Sequence, residues 1–169
     1  MCIQLAFYKM FGHPCATYEA AQTRKFKLGR TETIRSCSLG SLAFCQAMQD
    51  TNATDAERYE KFQAAVTRHV KNAKEAAEGA GVDRHLFGLK RLIQQGEEPP
   101  ALFRDPMNAQ SGTWILSTSQ ISSEVFDAWG FGEVTPKGFG VAYAIKNNAL
   151  TFTIMCLKKV HSASRFTFF

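Results

Sequence analysis

The chain has 169 residues, 45% hydrophobic and 12% aromatic, with 14 Phe. That supports one domain with a packed core and excludes a disordered or low-complexity chain. Twenty Lys and Arg against 15 Asp and Glu give a net charge of +5, which is compatible with an anionic ligand or nucleic acid but requires neither.

Met1 to Phe11 is apolar and rich in helix formers, begins without a cap and is broken by Gly12-His13-Pro14. Tyr18 to Leu28 can alternate as a strand, with Tyr18, Ala20, Phe26 and Leu28 on one face and Glu19, Thr23, Lys25 and Lys27 on the other, ending at Gly29. Ser38 can cap a helix through Met48, and Thr54 with Glu57 forms a capping-box pattern. The helix that follows carries Tyr59, Phe62, Val66, Val70 and Ala73 at spacings of three and four, and stops at Gly79 and Gly81. Asp83 is expected to cap a helix from Arg84 to Ile93, with a loop from Gly96 to Pro100. Trp114 to Ser119, Gly138 to Ile145 and Leu150 to Leu157 read as strands, the last two joined by a turn at Asn147-Asn148. Helices mixed with strands in this way predict an α/β layered domain.

The five cysteines, Cys2, Cys15, Cys37, Cys45 and Cys156, are odd in number and form no CxxC pair. Reduced thiols in an intracellular compartment are expected, with no metal site. No apolar run approaches the ~18 residues of a membrane span, and Asn52-Ala53-Thr54 is read as a chance glycosylation sequon.

The chemistry-bearing stretch is Ser117-Thr118-Ser119-Gln120. Consecutive hydroxyls at a strand end point to two sides of a cleft, which suits substrate positioning or oxyanion stabilisation. Arg24 to Arg30 is a small basic patch that reads as a solvated strand face. On that patch and the net charge alone rests an alternative reading, a basic nucleic-acid-binding domain. Gly130, Gly132, Gly138 and Gly140 match neither phosphate-loop pattern and read as turn glycines.

Five segments occur in the order and at the spacing of a known family: Thr17-Tyr18-Glu19-Ala20; Leu28-Gly29-Arg30-Thr31-Glu32-Thr33-Ile34-Arg35-Ser36; Asp83-Arg84-His85-Leu86-Phe87-Gly88-Leu89-Lys90; Leu116-Ser117-Thr118-Ser119-Gln120; and Gly138-Phe139-Gly140-Val141-Ala142-Tyr143. Across Met1 to Leu157 the chain resembles the carnitine/choline acyltransferase family. The resemblance implies an α/β fold, a mixed β-sheet with flanking helices, forming most of one chloramphenicol-acetyltransferase-like half of a two-domain enzyme. It implies transfer of an acyl group between coenzyme A, a cosubstrate and not a tightly bound cofactor, and the carnitine hydroxyl. Residues 1–157 would be the C-terminal portion of the acyltransferase domain and 158–169 a divergent or truncated tail, as of an altered terminus.

On that resemblance Arg84, Tyr18 and Thr31 bind the carnitine carboxylate, and Ser117, Phe131 and Val134 wall the trimethylammonium group. Ser119 stabilises the oxyanion of the tetrahedral intermediate. Gln120 and Glu19 lie on the coenzyme A side, where Ala20 and Val70 replace polar contacts of some family members. Trp129 falls at the acyl pocket, and its bulk favours a short acyl chain. Thr31 and Arg84 together favour carnitine over choline, which has no carboxylate.

The family's base is a histidine in a His-x-x-x-Asp-Gly setting, and none of His13, His69, His85 and His161 has it. The chain alone is therefore expected to be inactive, its partner being the N-terminal half that supplies the base. A surface left apolar without that half would make it poorly soluble. The alternative within the resemblance is a non-catalytic carnitine-binding or regulatory fragment. No nucleic acid partner is expected. A mitochondrial or peroxisomal setting is implied by the family, although no Ser-Lys-Leu signal is present.

Overall fold

The helices that the capping residues predict form where expected. In the computed structural model, which describes residues 1–158, α1 spans Cys2–Phe11 and ends at Gly12, whose φ of 75° closes it in the left-handed region. Ser38 caps α2 (Leu39–Gln49) in a reciprocal box with Ser41, and Thr54 caps α3 (Asp55–Ala77) in one with Glu57. The Thr54 box is closed by Glu57 N donating to Thr54 Oγ1 at 3.2 Å and Thr54 N donating to Glu57 Oε2 at 2.7 Å. Such a cap contributes about 1 kcal/mol.

The chain divides into two compact units, Met1–Gly112 and Thr113–Phe169. In the first, β1 (Thr17–Gln22) pairs antiparallel with β2 (Thr31–Arg35), Tyr18 opposite Arg35 and Gln22 opposite Thr31. One face of this hairpin carries Tyr18, Ala20, Thr31, Thr33 and Arg35. The other carries Glu19, Ala21, Glu32 and Ile34, and packs on α3 through Ala21, Ile34 and Ala76. Farther along α3, Ala65 is fully buried against Phe44 and Cys45 of α2, with Met1, Leu5 and Tyr8 of α1 alongside. α4 (Asp83–Arg91), α5 (Ala101–Arg104) and α6 (Pro106–Ser111) complete the unit.

In the second unit, β3 (Leu116–Gln120) runs parallel to β4 (Phe139–Ile145), and β5 (Leu150–Met155) returns antiparallel after the Asn147-Asn148 turn, where Lys146 N donates to Ala149 O. Both pairing senses occur, so the β-structure is mixed and the fold is α/β with flanking helices.

Several expectations need correction. The strand expected to reach Leu28 stops at Gln22, because residues 23–29 satisfy their backbone in successive turns: Phe26 N donates to Thr23 O and Gly29 N to Phe26 O. Leu28 takes a φ of 64° and is 92% exposed, so the basic patch is a turn and not a strand face. The helix marked by the Tyr59–Ala73 spacing forms; Ala73 packs beside the buried Ala76 and the Phe62 ring lies 5.5 Å from that of Phe44, while the fully buried position is Ala65 and Tyr59 and Val70 are exposed. The neighbours come too close for larger side chains, since a Cβ on Gly40 would lie 3.4 Å from the Ala65 Cα. Asp83 lies inside α4, its carboxylate engaged by Arg35, and α4 ends at Arg91. α5 and α6 have no periodicity to announce them. α6 starts at a proline capped by Asp105, which accepts from Met107 N at 2.7 Å. β3 begins at Leu116 and not Trp114, and β5 ends at Met155 and not Leu157. Of the tail expected at 158–169, residues 159–169 lie outside the described residues.

None of the five cysteines is in a disulfide. Burial raises the pKa of Cys37 and of Cys45, so both are held as thiols. No helix among the described residues is long and apolar enough to cross a membrane.

Candidate functional site

The three carboxylate-binding candidates come together within the first unit. Tyr18 on β1 and Thr31 on β2 share one face of the hairpin, since each lies an even number of residues from the paired positions on that face. Arg84, in the first turn of α4, donates from Nη2 to Tyr18 OH at 3.1 Å and to Thr31 Oγ1 at 3.0 Å. Its Cζ lies 6.0 Å from the centre of the Tyr18 ring. The guanidinium is exposed and permanently charged, and two hydroxyls flank one edge of its donor fork. A carboxylate arriving there can accept from the arginine and from both hydroxyls.

The same face holds Thr33, 4% exposed, whose Oγ1 is buried without a partner. Sequence reasoning passed over it. The i, i+2 spacing from Thr31 was the available signal, because it puts both hydroxyls on one side of the strand.

The start of α4 is fixed by an ion pair that the sequence did not disclose. Arg35 donates to Asp83 through both Nε (3.0 Å) and Nη2 (2.6 Å), and through Nη1 to Ser111 O at 2.9 Å. Asn72 on α3 donates to Arg35 O at 3.2 Å. Asp83 is largely buried and the pairing is bidentate, the geometry in which charge-assisted bonds are roughly twice as strong as neutral ones.

Glu19 lies next to Tyr18 in sequence but on the opposite face, toward α3. There it acts on His69, whose Nδ1 is buried without a partner. Burial lowers the His69 pKa and the Glu19 charge opposes that shift in part, so the imidazole is held neutral near pH 7. Ala20 is exposed on the Tyr18 face, and Val70 is exposed on α3. His13 and His85 are exposed, and His161 lies outside the described residues.

The remaining candidates lie in the second unit. On β3, Ser117 and Ser119 share a face, Ser117 buried and Ser119 half-buried. Their partners on β4 are Gly140 and Ala142, so small groups stand beside both hydroxyls. The main chain of Phe131 and Gly132 closes over Gly140: a Cβ there would lie 2.4 Å from Phe131 O and 2.6 Å from Gly132 O. The absence of a side chain at Gly140 therefore brings the 131–132 segment down onto the strand face that carries the two serines. Phe131 stacks with the half-buried Trp129 at 5.7 Å between ring centres, and the Trp129 Nε1 is buried without a partner. Val134 is 57% exposed. Gln120, exposed at the end of β3, donates to Ser122 Oγ, which also accepts from Ile145 N at 2.8 Å.

The first unit thus offers an arginine between two hydroxyls, able to engage an anion, and the second offers strand-end serines beside a glycine-lined face, able to donate hydrogen bonds. The chain matches the choline/carnitine O-acyltransferase family over residues 1–168 and belongs to it. Among its relatives, carnitine O-acetyltransferase, mitochondrial, of Saccharomyces cerevisiae is 44% identical over 154 residues, which are 90% of this chain and 23% of that protein. Carnitine O-acetyltransferase of Homo sapiens is 40% identical over 91% of this chain and 25% of its own length. Peroxisomal carnitine O-octanoyltransferase of Homo sapiens is 38% identical over 92% of this chain and 26% of its own length. The chain thus spans about a quarter of the length of the curated relatives it matches.

Proposed function

We propose that the chain is the carnitine-binding and oxyanion-stabilising part of a carnitine O-acyltransferase that moves a short acyl group, acetyl or near it, between coenzyme A and the carnitine hydroxyl. The observation that carries this reading is the Arg84 guanidinium donating to both Tyr18 OH and Thr31 Oγ1. In the reaction, Arg84 and the two hydroxyls hold the carnitine carboxylate, and Ser117, Phe131 and Val134 wall its ammonium group. The carnitine oxygen attacks the thioester carbon while its proton passes to a histidine base. Ser119 donates to the oxygen that gains charge. Collapse of the intermediate breaks the carbon–sulfur bond, and the base returns the proton to the coenzyme thiolate.

Gln120 and Glu19 serve the coenzyme side, Glu19 from the opposite face of β1. Coenzyme A is a cosubstrate, with no tightly held cofactor. Relatives named for acetyl and octanoyl transfer both match well. The stacking of Trp129 on Phe131 favours the shorter chain by occupying space in which a longer one would lie. The base comes from outside these 169 residues, in the N-terminal half of the domain, so this length of chain binds carnitine without turning it over. The setting is mitochondrial or peroxisomal, as the names of the relatives are.

Calorimetric titration with carnitine and with choline tests the reading. Arg84→Ala is expected to weaken carnitine binding by about 10–100-fold, the worth of hydrogen bonds to a charged group, and to leave choline unaffected. Equal carnitine affinity in a folded Arg84→Ala protein would falsify it.

A further inference from the structure

Arg84 reaches Tyr18 and Thr31 because the first turn of α4 is held against β2, and one of the groups that holds it is a carboxylate with no role above. Glu32 lies between Thr31 and Thr33, but its side chain points to the opposite face and is only 4% exposed. Its Oε1 and Oε2 each lie 3.3 Å from the Arg84 backbone nitrogen, and Oε1 accepts from Thr33 N at 2.6 Å. Among the described residues it makes no ion pair.

A buried carboxylate without a cation is costly unless hydrogen bonds and a local dipole offset the loss of water. The start of α4 supplies both: free N–H groups and the positive end of the helix. Val82, at the cap position, contributes no side-chain bond, so Glu32 takes over that function from across the chain. Gly81 makes the approach possible, since a Cβ there would stand 2.4 Å from the Glu32 Cγ and 2.7 Å from its Cδ. On the opposite face, Arg35 grips Asp83. Residues 83 and 84 are therefore clasped from both faces of the strand that presents Thr31.

We infer that Glu32 is a positioning residue for carnitine recognition: through the Arg84 main chain it fixes the start of α4, so that the guanidinium already stands between Tyr18 and Thr31 when the carboxylate arrives. The inference rests on the reading of Arg84 as the carboxylate anchor. Preorganisation of this kind raises affinity by removing the cost of ordering the arginine on binding.

The test is calorimetry on the protein as its gene encodes it, with carnitine, choline and coenzyme A as separate ligands. Glu32→Ala and Glu32→Asp, which lose the oxygen or its reach, are expected to weaken carnitine binding about tenfold while coenzyme A and choline stay within about twofold. Glu32→Gln keeps an acceptor oxygen at the same reach and is expected to recover most of the loss. Carnitine affinity unchanged in Glu32→Asp while Arg84→Ala loses it would overturn the inference and leave the anchor reading intact. So would equal weakening of all three ligands, which marks general damage. If Arg84→Ala itself binds carnitine normally, the anchor reading fails and this inference falls with it. Should Glu32→Ala fail to fold, the Asp and Gln variants decide: loss with Asp and recovery with Gln supports the role, and equal behaviour of the two overturns it.

Discussion

The two units hold their candidate groups in different ways. In the first, the candidate groups are already bonded to one another: Arg84 donates to Tyr18 and Thr31 with its backbone clasped by Glu32, and Arg35 holds Asp83. In the second, the candidate groups are set by register and close approach. Ser117 and Ser119 sit beside Gly140 and Ala142, and the main chain at 131–132 is drawn down over the glycine. Recognition of a fixed charge rewards a rigid, pre-bonded receptor. Stabilisation of charge that exists only in the transition state rewards a hydroxyl held in place but not consumed by the ground-state structure.

The sharpest way to break this division is Ser119→Ala, assayed with the N-terminal half that supplies the base. Turnover is expected to fall by about 10²–10³ with carnitine affinity nearly unchanged. A loss of affinity at a preserved rate per bound substrate would make Ser119 part of the receptor instead. Next in size is Gly140→Ala. The added methyl must displace Phe131 O and Gly132 O, a destabilisation of about 1–3 kcal/mol by overpacking. Urea unfolding would measure it, and tryptophan fluorescence should change as the Trp129–Phe131 stack shifts. Wild-type stability and spectrum would mean that the 131–132 segment yields freely and does not shape the serine face.

The smallest effect belongs to the first unit, at His69. Its folded-state pKa lies below the unfolded value because of burial, so the unfolded chain binds more protons below about pH 6.5. Stability from the neutral imidazole is therefore full above that pH and lost as pH falls through the folded pKa. The urea midpoint should drop between about pH 7.5 and 5.5, and the drop should be shallower in His69→Gln. An identical slope in both proteins would assign the acid sensitivity elsewhere.

What could be read in advance followed from interactions local in sequence. The caps at Ser38 and Thr54 span three residues each, and both formed. The separation of Tyr18 and Ala20 from Glu19 follows from strand alternation, and it holds. The five segments shared with the family placed the chain correctly. The missed features depend on tertiary partners. The strand at Thr31–Arg35 was not expected, and the roles of Glu32 and Arg35 emerge only when α4 is packed against it. The spacing on α3 gave the helix, but not that the most buried positions would be the small Ala65 and Ala76, which close approach selects. Residues 23–29 have the composition of a strand edge, but their backbone closes into turns. The spacing from Thr31 gives the face on which Thr33 lies, but a hydroxyl announces no burial.

The bonds of Arg84 to Tyr18 and Thr31 join positions 66 and 53 residues apart, whereas Tyr18 and Thr31 are brought near by a single hairpin. Contacts of such separation carry a larger closure cost and consolidate late in folding. α4 buries none of its own residues, so its hold on the hairpin rests on the polar bonds at its first turn and not on apolar burial. A carnitine carboxylate bridging Arg84 to the hairpin would therefore act as a temporary cross-link. If carnitine binds as proposed, occupancy is expected to slow amide hydrogen exchange in α4, which exchange with and without the ligand would measure.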